Sequence, residues 1–176
     1  MKKLTSRRTR QGGYSLVEIG IVLLIIAVIL AVVIGKSYFA KSTANAQTEE
    51  STMVSILGAT PNFKGSFGTA GTYGTAGTSL VPTLITGKVV PPSYSTTATT
   101  ITNSWGGNIT LVSTGAGYTL TDAALPDDIC QSIAPAINNS GGNTGALTTQ
   151  INGAAFTNAT TQCTGGSNSI SFTSTN

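Results

Sequence analysis

Gly12-Gly13-Tyr14-Ser15-Leu16-Val17-Glu18 decides how the rest of the chain reads. Before it, residues 1–13 carry Lys2, Lys3, Arg7, Arg8 and Arg10 and no acid. After it, residues 19–34 contain no polar side chain. Glu18 is therefore a lone carboxylate at the mouth of an apolar stretch. A charge near the centre of hydrocarbon costs about 2.5–3.5 kcal/mol or more. A free-standing membrane anchor gains nothing from Glu18, whereas a subunit that must find a partner for the charge does.

This arrangement resembles the N-terminal signal of the type IV pilin family. In that family a short basic leader ends in Gly, and an apolar or aromatic residue opens the mature chain. A Glu follows four residues later within a long apolar helix. The resemblance implies that Gly13 ends the leader, Tyr14 is the new N-terminus and Glu18 is the assembly carboxylate. It further implies cleavage by a prepilin peptidase of the inner membrane, acting on the cytoplasmic side, and N-methylation of Tyr14. Two other readings stand beside it. An ordinary secretory signal peptide would cut after Ala44-Asn45-Ala46, but the apolar run is long for an h-region, and the gap from Gly35 to Ala46 is wide. A plain signal anchor would use residues 16–35, which span about 30 Å as a helix.

Charge supports one orientation. Five cations precede the apolar run and only Lys36 and Lys41 closely follow it. The positive-inside bias places the leader in the cytoplasm and the remainder outside. The whole chain is 9 minus 6, or +3; without the five leader cations it is 4 minus 6, or −2. The basic run thus reads as a targeting element, and no nucleic-acid partner is expected.

Residues 59–176 are dense in Thr, Ser, Asn and Gly, with Lys64, Lys88, Asp122, Asp127 and Asp128 as the only charges. Large apolar residues are few, so the core is small and a covalent staple is expected. Cys130 and Cys163 are the only cysteines, and an even count on the exported side reads as a disulfide. The alternative is two free or metal-binding thiols, which the absence of His and of CxxC argues against.

Residues 14–57 lack Pro and read as one continuous helix of about 65 Å. In its second half Phe39, Ala46, Met53 and Leu57, broadened by Val54, form an apolar stripe for packing on the C-terminal domain. The alternative is a frayed linker around residues 43–48. Gly58 reads as the helix C-cap, and Pro61 prevents resumption. Residues 62–78 read as a glycine-rich surface loop pinned by Phe63, Phe67 and Tyr73. Residues 79–86 predict a short helix with Pro82 in its first turn and Gly87 at its end. Residues 108–112 and 118–120 predict strands around a turn at Gly115. Pro126-Asp127-Asp128 opens a predicted helix that Pro135 ends or kinks. Asn152-Gly153 is a hairpin signal, and residues 169–173 predict a last strand with Ile170 and Phe172 inward.

Ile101-Thr102-Asn103-Ser104-Trp105-Gly106-Gly107 resembles the type IVb pilins, particularly those of plasmid-encoded thin pili and the toxin-coregulated pilus group. So do Thr86-Gly87-Lys88-Val89-Val90-Pro91 and the Pro-led helix carrying the first cysteine. The leader is short for that subclass. Trp105 is expected to fill core, with its glycines permitting positive φ.

No catalytic constellation emerges. There is no His, the serines lack a base partner, and Asp127 and Asp128 do not face one another. No phosphate-binding GxxxxGK[ST] is present. No cofactor and no metal are expected, and the chain does not read as an enzyme.

The expected fold is α+β: a long N-terminal helix, apolar in its first half, packed on a small antiparallel sheet with one disulfide. The expected organisation is a leader at 1–13, a helix for anchoring and filament core at 14–58, and a head at 59–176. The resemblance implies a major pilus subunit that homopolymerises into a helical filament. It implies as partners the prepilin peptidase, the inner membrane before assembly, the assembly machinery and a secretin. It places the product on the bacterial surface. A secretion-system pseudopilin or minor pilin is the alternative, and an anchored binding module that never polymerises is a third reading.

Overall fold

The computed structural model describes residues 16–66, 70–92, 94–140 and 147–175, with backbone alone at 16–18, 31–43, 95 and 140. Gly12, Gly13, Tyr14 and Phe67 lie outside the described residues, as do the side chains of Glu18 and Phe39. The chain divides into two units, Met1–Lys41 and Ser42–Asn176. Helix α1, Leu16–Ala59, contributes to both.

In the first unit the described side chains of residues 19–30 are all exposed, with Leu23 at 62% and Leu24 at 66%. A helix that is apolar all round is stable only when lipid or other protein covers it. Among the described residues no helix is long and apolar enough to cross a membrane.

In the second unit α1 buries one face. Ala46, Glu49, Thr52, Met53, Ile56, Leu57 and Thr60 are buried at spacings of three and four. That periodicity is the inward stripe of a helix on a core. Val54, expected on the stripe, is 42% exposed because it falls one step past Met53, on the outward side. Gly58 does not cap the helix. The helix runs through it to Ala59 and tightens into a 3-10 helix, Thr60–Phe63, with Pro61 in its first turn. Pro needs no N–H donor there, so it fits the tightened turn.

Among the described residues seven strands form one antiparallel sheet: β1 Ser95–Thr96, β2 Ile101–Thr102, β3 Asn108–Ser113, β4 Tyr118–Leu125, β5 Leu147–Ile151, β6 Ala154–Ala155 and β7 Asn168–Ser174. Their order is β1-β2-β3-β4-β7-β5-β6. The last strand enters between β4 and β5, so the sheet closes only when the C-terminal segment arrives. Alternation decides its two faces. Tyr118 and Leu120 on β4 and Ile170 and Phe172 on β7 are wholly buried. Outward hydroxyls pair across the strands, Thr119 with Thr173 and Thr121 with Ser171, both at 3.0 Å. The β5–β6 turn is Asn152-Gly153, with φ of 51° and 79°, as its sequence predicts.

Three short or split elements escaped the sequence reading: β1, β2 and α4, Ala159–Gln162. The predicted helix at 79–86 is α2, Val81–Thr86. Gly87 follows it with a negative φ of −73° and is required for another reason. A Cβ there would meet the Phe63 ring at 2.8 Å. Helix α3, Asp127–Ser140, continues through Pro135 rather than ending there. One lost hydrogen bond is outweighed by an apolar face, Ile129, Cys130, Ile133, Ala134 and Ile137, that stays buried on both sides of the Pro. Tyr73 is wholly buried and packs edge-on against Tyr118, ring centres 5.2 Å apart, and Phe63 packs partly buried on the core, so these two of the three expected aromatics pin the 62–78 segment.

Candidate functional site

The disulfide expected from the cysteine count is present: Cys130 and Cys163 are bonded, with Cα atoms 5.8 Å apart. Cys130 sits on the inward face of α3 and Cys163 caps α4. The Gln131 amide donates to the Cys163 carbonyl at 3.2 Å. Asp127, on the first turn of α3, accepts from Gly166 N at 2.8 Å and from Asn168 Nδ2 at 2.7 Å. Asp127 thus ties the start of α3 to the segment leading into β7. Asp128, next to it, also has an interaction partner.

The turn from β2 to β3 is organised by Asn103. Its side-chain oxygen accepts from Trp105 N at 3.0 Å and Gly107 N at 2.7 Å. Its amide donates to Asp122 Oδ1 and to the Ala123 carbonyl, both at 2.7 Å. Trp105 is only half-buried, at the edge of the core rather than in it. Gly106 takes a φ of 82°, but Gly107 is needed for closeness: a Cβ there would collide with the Ala123 carbonyl oxygen.

Asp122 lies in an otherwise apolar row. Across the strands the register runs Ile101, Ile109, Asp122, Ile170 and Ile151. Just after Asp122 the β4–β7 ladder slips, and Ala124 adopts a φ of 58°. Such bulges re-aim a side chain. Asp122 neighbours Glu49, which comes from the inward stripe of α1, closely enough for each carboxyl to shift the titration of the other. Glu49 is 0% exposed and Asp122 1%. The Tyr94 hydroxyl donates to Glu49 Oε2 at 2.6 Å.

Burial raises the Asp122 carboxyl to about 8, and the Glu49 charge pushes the same way. Burial raises Glu49 as well, against the lowering effect of the Tyr94 hydroxyl and of the neighbouring Asp122 carboxyl. Tyr94 is lifted well above the ordinary phenol value, first by burial and then by Glu49. Tyr118 rises to about 12, chiefly by burial. Both acids were legible only in phase. Glu49 follows Ala46 by three residues and precedes Met53 by four. Asp122 continues the alternation of Tyr118 and Leu120.

Beside Tyr94 a groove of about 480 Å³ opens between Ile85, Lys88, Val90, Pro91, Pro92 and Thr96. Among the described residues its lining carries one cation, Lys88. Among the described residues no cluster of three or more His, Cys, Asp or Glu could hold a metal ion. Of the residues predicted to act, Gly13 and Tyr14 and the side chain of Glu18 lie outside the described residues, while Cys130 and Cys163 are joined.

The arrangement is that of a stapled head whose helix is fastened to its sheet. The family model PilS N terminal matches residues 41–175, covering the whole of that head. Comparison with curated proteins and with solved structures gives no match. The match covers more than half of the chain, so the protein belongs to the PilS N-terminal family, a pilin-related family of structural type IV pilus components.

Proposed function

We propose that this chain is the major subunit of a type IV pilus of the IVb class. The observation that carries the reading is the PilS match over residues 41–175, adjoining a prepilin-like sequence at residues 1–34. The precursor sits in the inner membrane with its basic leader in the cytoplasm. A prepilin peptidase cuts between Gly13 and Tyr14, and the new amine is methylated. The apolar half of α1 then leaves lipid for a bundle of like helices at the filament centre. The assembly machinery and a secretin carry the filament to the cell surface.

In that bundle the Tyr14 amine of one subunit and the Glu18 carboxylate of a neighbour neutralise each other. A buried pair of this kind adds little net stability, but removing one partner costs about 3–5 kcal/mol. It acts chiefly as a register device. The hydroxyl-rich, nearly uncharged head forms the coat, which is compatible with adhesion, conjugation, aggregation or uptake.

N-terminal sequencing of the main protein in sheared surface filaments tests the proposal. It should begin at Tyr14. A chain that is scarce in sheared material but present in the membrane would favour the pseudopilin or minor-pilin reading. A functional form beginning at Met1 would favour a simple anchor.

A further inference from the structure

Among the described residues two buried carboxyl oxygens have no donor. Glu49 Oε1 and Asp122 Oδ2 are inaccessible to solvent and unpartnered, while the other oxygen of each carboxyl is already occupied by Tyr94 or Asn103. The unpartnered oxygens belong to two neighbouring buried carboxyls. Two such carboxyls can satisfy each other only through a proton, because an ionised carboxylate only accepts. Two adjacent ionised carboxylates would also repel in a medium that screens poorly.

Among the described residues the surrounding groups supply no cation. From α1 come Glu49 itself and Thr52, whose hydroxyl touches Tyr94. From the segment before β1 comes the Tyr94 phenol, and from the β2–β3 turn the neutral Asn103 amide. From β4 come Asp122 and the Ala123 backbone. Lys88 lines the groove beside Tyr94 but is not among the groups that shift either acid.

We infer that Glu49 and Asp122 hold one proton between Glu49 Oε1 and Asp122 Oδ2, and that this proton fastens α1 to β4. It gives both orphaned oxygens a partner and halves the buried charge. A divalent cation fits less well. It needs six or more oxygens, and full burial leaves no room for waters to complete the shell.

The pH dependence follows in sign. Both acids are raised above their ordinary values of 4.5 and 3.8. The unfolded chain releases both protons near those values, and the folded pair keeps one until about 8. The native state therefore binds more protons in that window, and stability falls as pH rises through it. One retained proton makes the folding equilibrium constant drop about tenfold per pH unit. The contribution is complete below about pH 4 and gone above about pH 8.

The test uses the full chain in detergent, with denaturant unfolding followed from about pH 5 to about pH 9. Wild type should lose stability with the slope of one proton. Asp122→Asn supplies a fixed N–H donor in place of the proton and should flatten that slope, becoming more stable than wild type at the alkaline end. Glu49→Gln should do the same from the other side. An unchanged slope in either variant overturns the inference. Should a variant fail to fold, carboxyl carbon NMR of wild type decides. One proton retained by the pair at neutral pH supports the inference, and two ionised carboxylates overturn it. Calcium provides the remaining arm. Saturable stabilisation by calcium that a chelator reverses and Asp122→Asn abolishes would mean a cation occupies the gap, and the shared proton would be wrong.

Discussion

Asn103 Nδ2 donates to Asp122 Oδ1 at 2.7 Å, so a turn residue holds one end of the only acidic side chain in the central row of the sheet. The same side chain closes its own turn through Trp105 N and Gly107 N. Asn103→Ala should therefore leave several buried groups unpaired. A loss of about 2–4 kcal/mol is expected in denaturant unfolding. A change near zero would mean that water or a rearranged turn replaces the amide.

Gly106 and Gly107 should respond differently to Ala. At Gly106 the cost is a positive φ alone, about 1 kcal/mol. At Gly107 a methyl group meets the Ala123 carbonyl oxygen, so β3 and β4 must move apart. Gly107→Ala should be clearly the more damaging of the two, read by thermal unfolding of both variants side by side.

Reducing the Cys130–Cys163 bond should destabilise the head. The bond closes a loop over a sequence separation of 33, worth about 3–4 kcal/mol in the chain-entropy model. Cys130→Ser should lower subunit levels in cells through unfolding and proteolysis. Urea unfolding with and without reductant gives the magnitude, and coincident curves would show that the α3–α4 packing suffices without the bond.

Assembly offers the sharpest test of the proposed function. Glu18→Ala should still insert and still be cut after Gly13, yet give few or no filaments. Glu18→Gln should fail similarly, since it keeps the shape and loses the charge. Electron microscopy of sheared material alongside N-terminal sequencing reads both steps. Filaments at normal number and length from Glu18→Ala cells would show that the carboxylate needs no partner subunit.

Local chemistry alone determined a good deal of this protein. The Pro-free stretch of α1, the positive-φ turn at Asn152-Gly153 and the alternation of Ile170 and Phe172 follow from short-range rules, the pairing of Cys130 with Cys163 follows from their being the only two cysteines, and the structure obeys both. Tertiary context decided the rest, because burial can override local preference. Helix α3 passes through Pro135 because its apolar face has a core to cover on both sides. The two-residue strands β1 and β2 exist only through pairing, β2 on β3 and β1 on β2. Asp122 and Glu49 are polar in sequence, 73 positions apart, and carry the phase of core residues. Only the long-range register that lays α1 against β4 turns two ordinary acids into a buried pair.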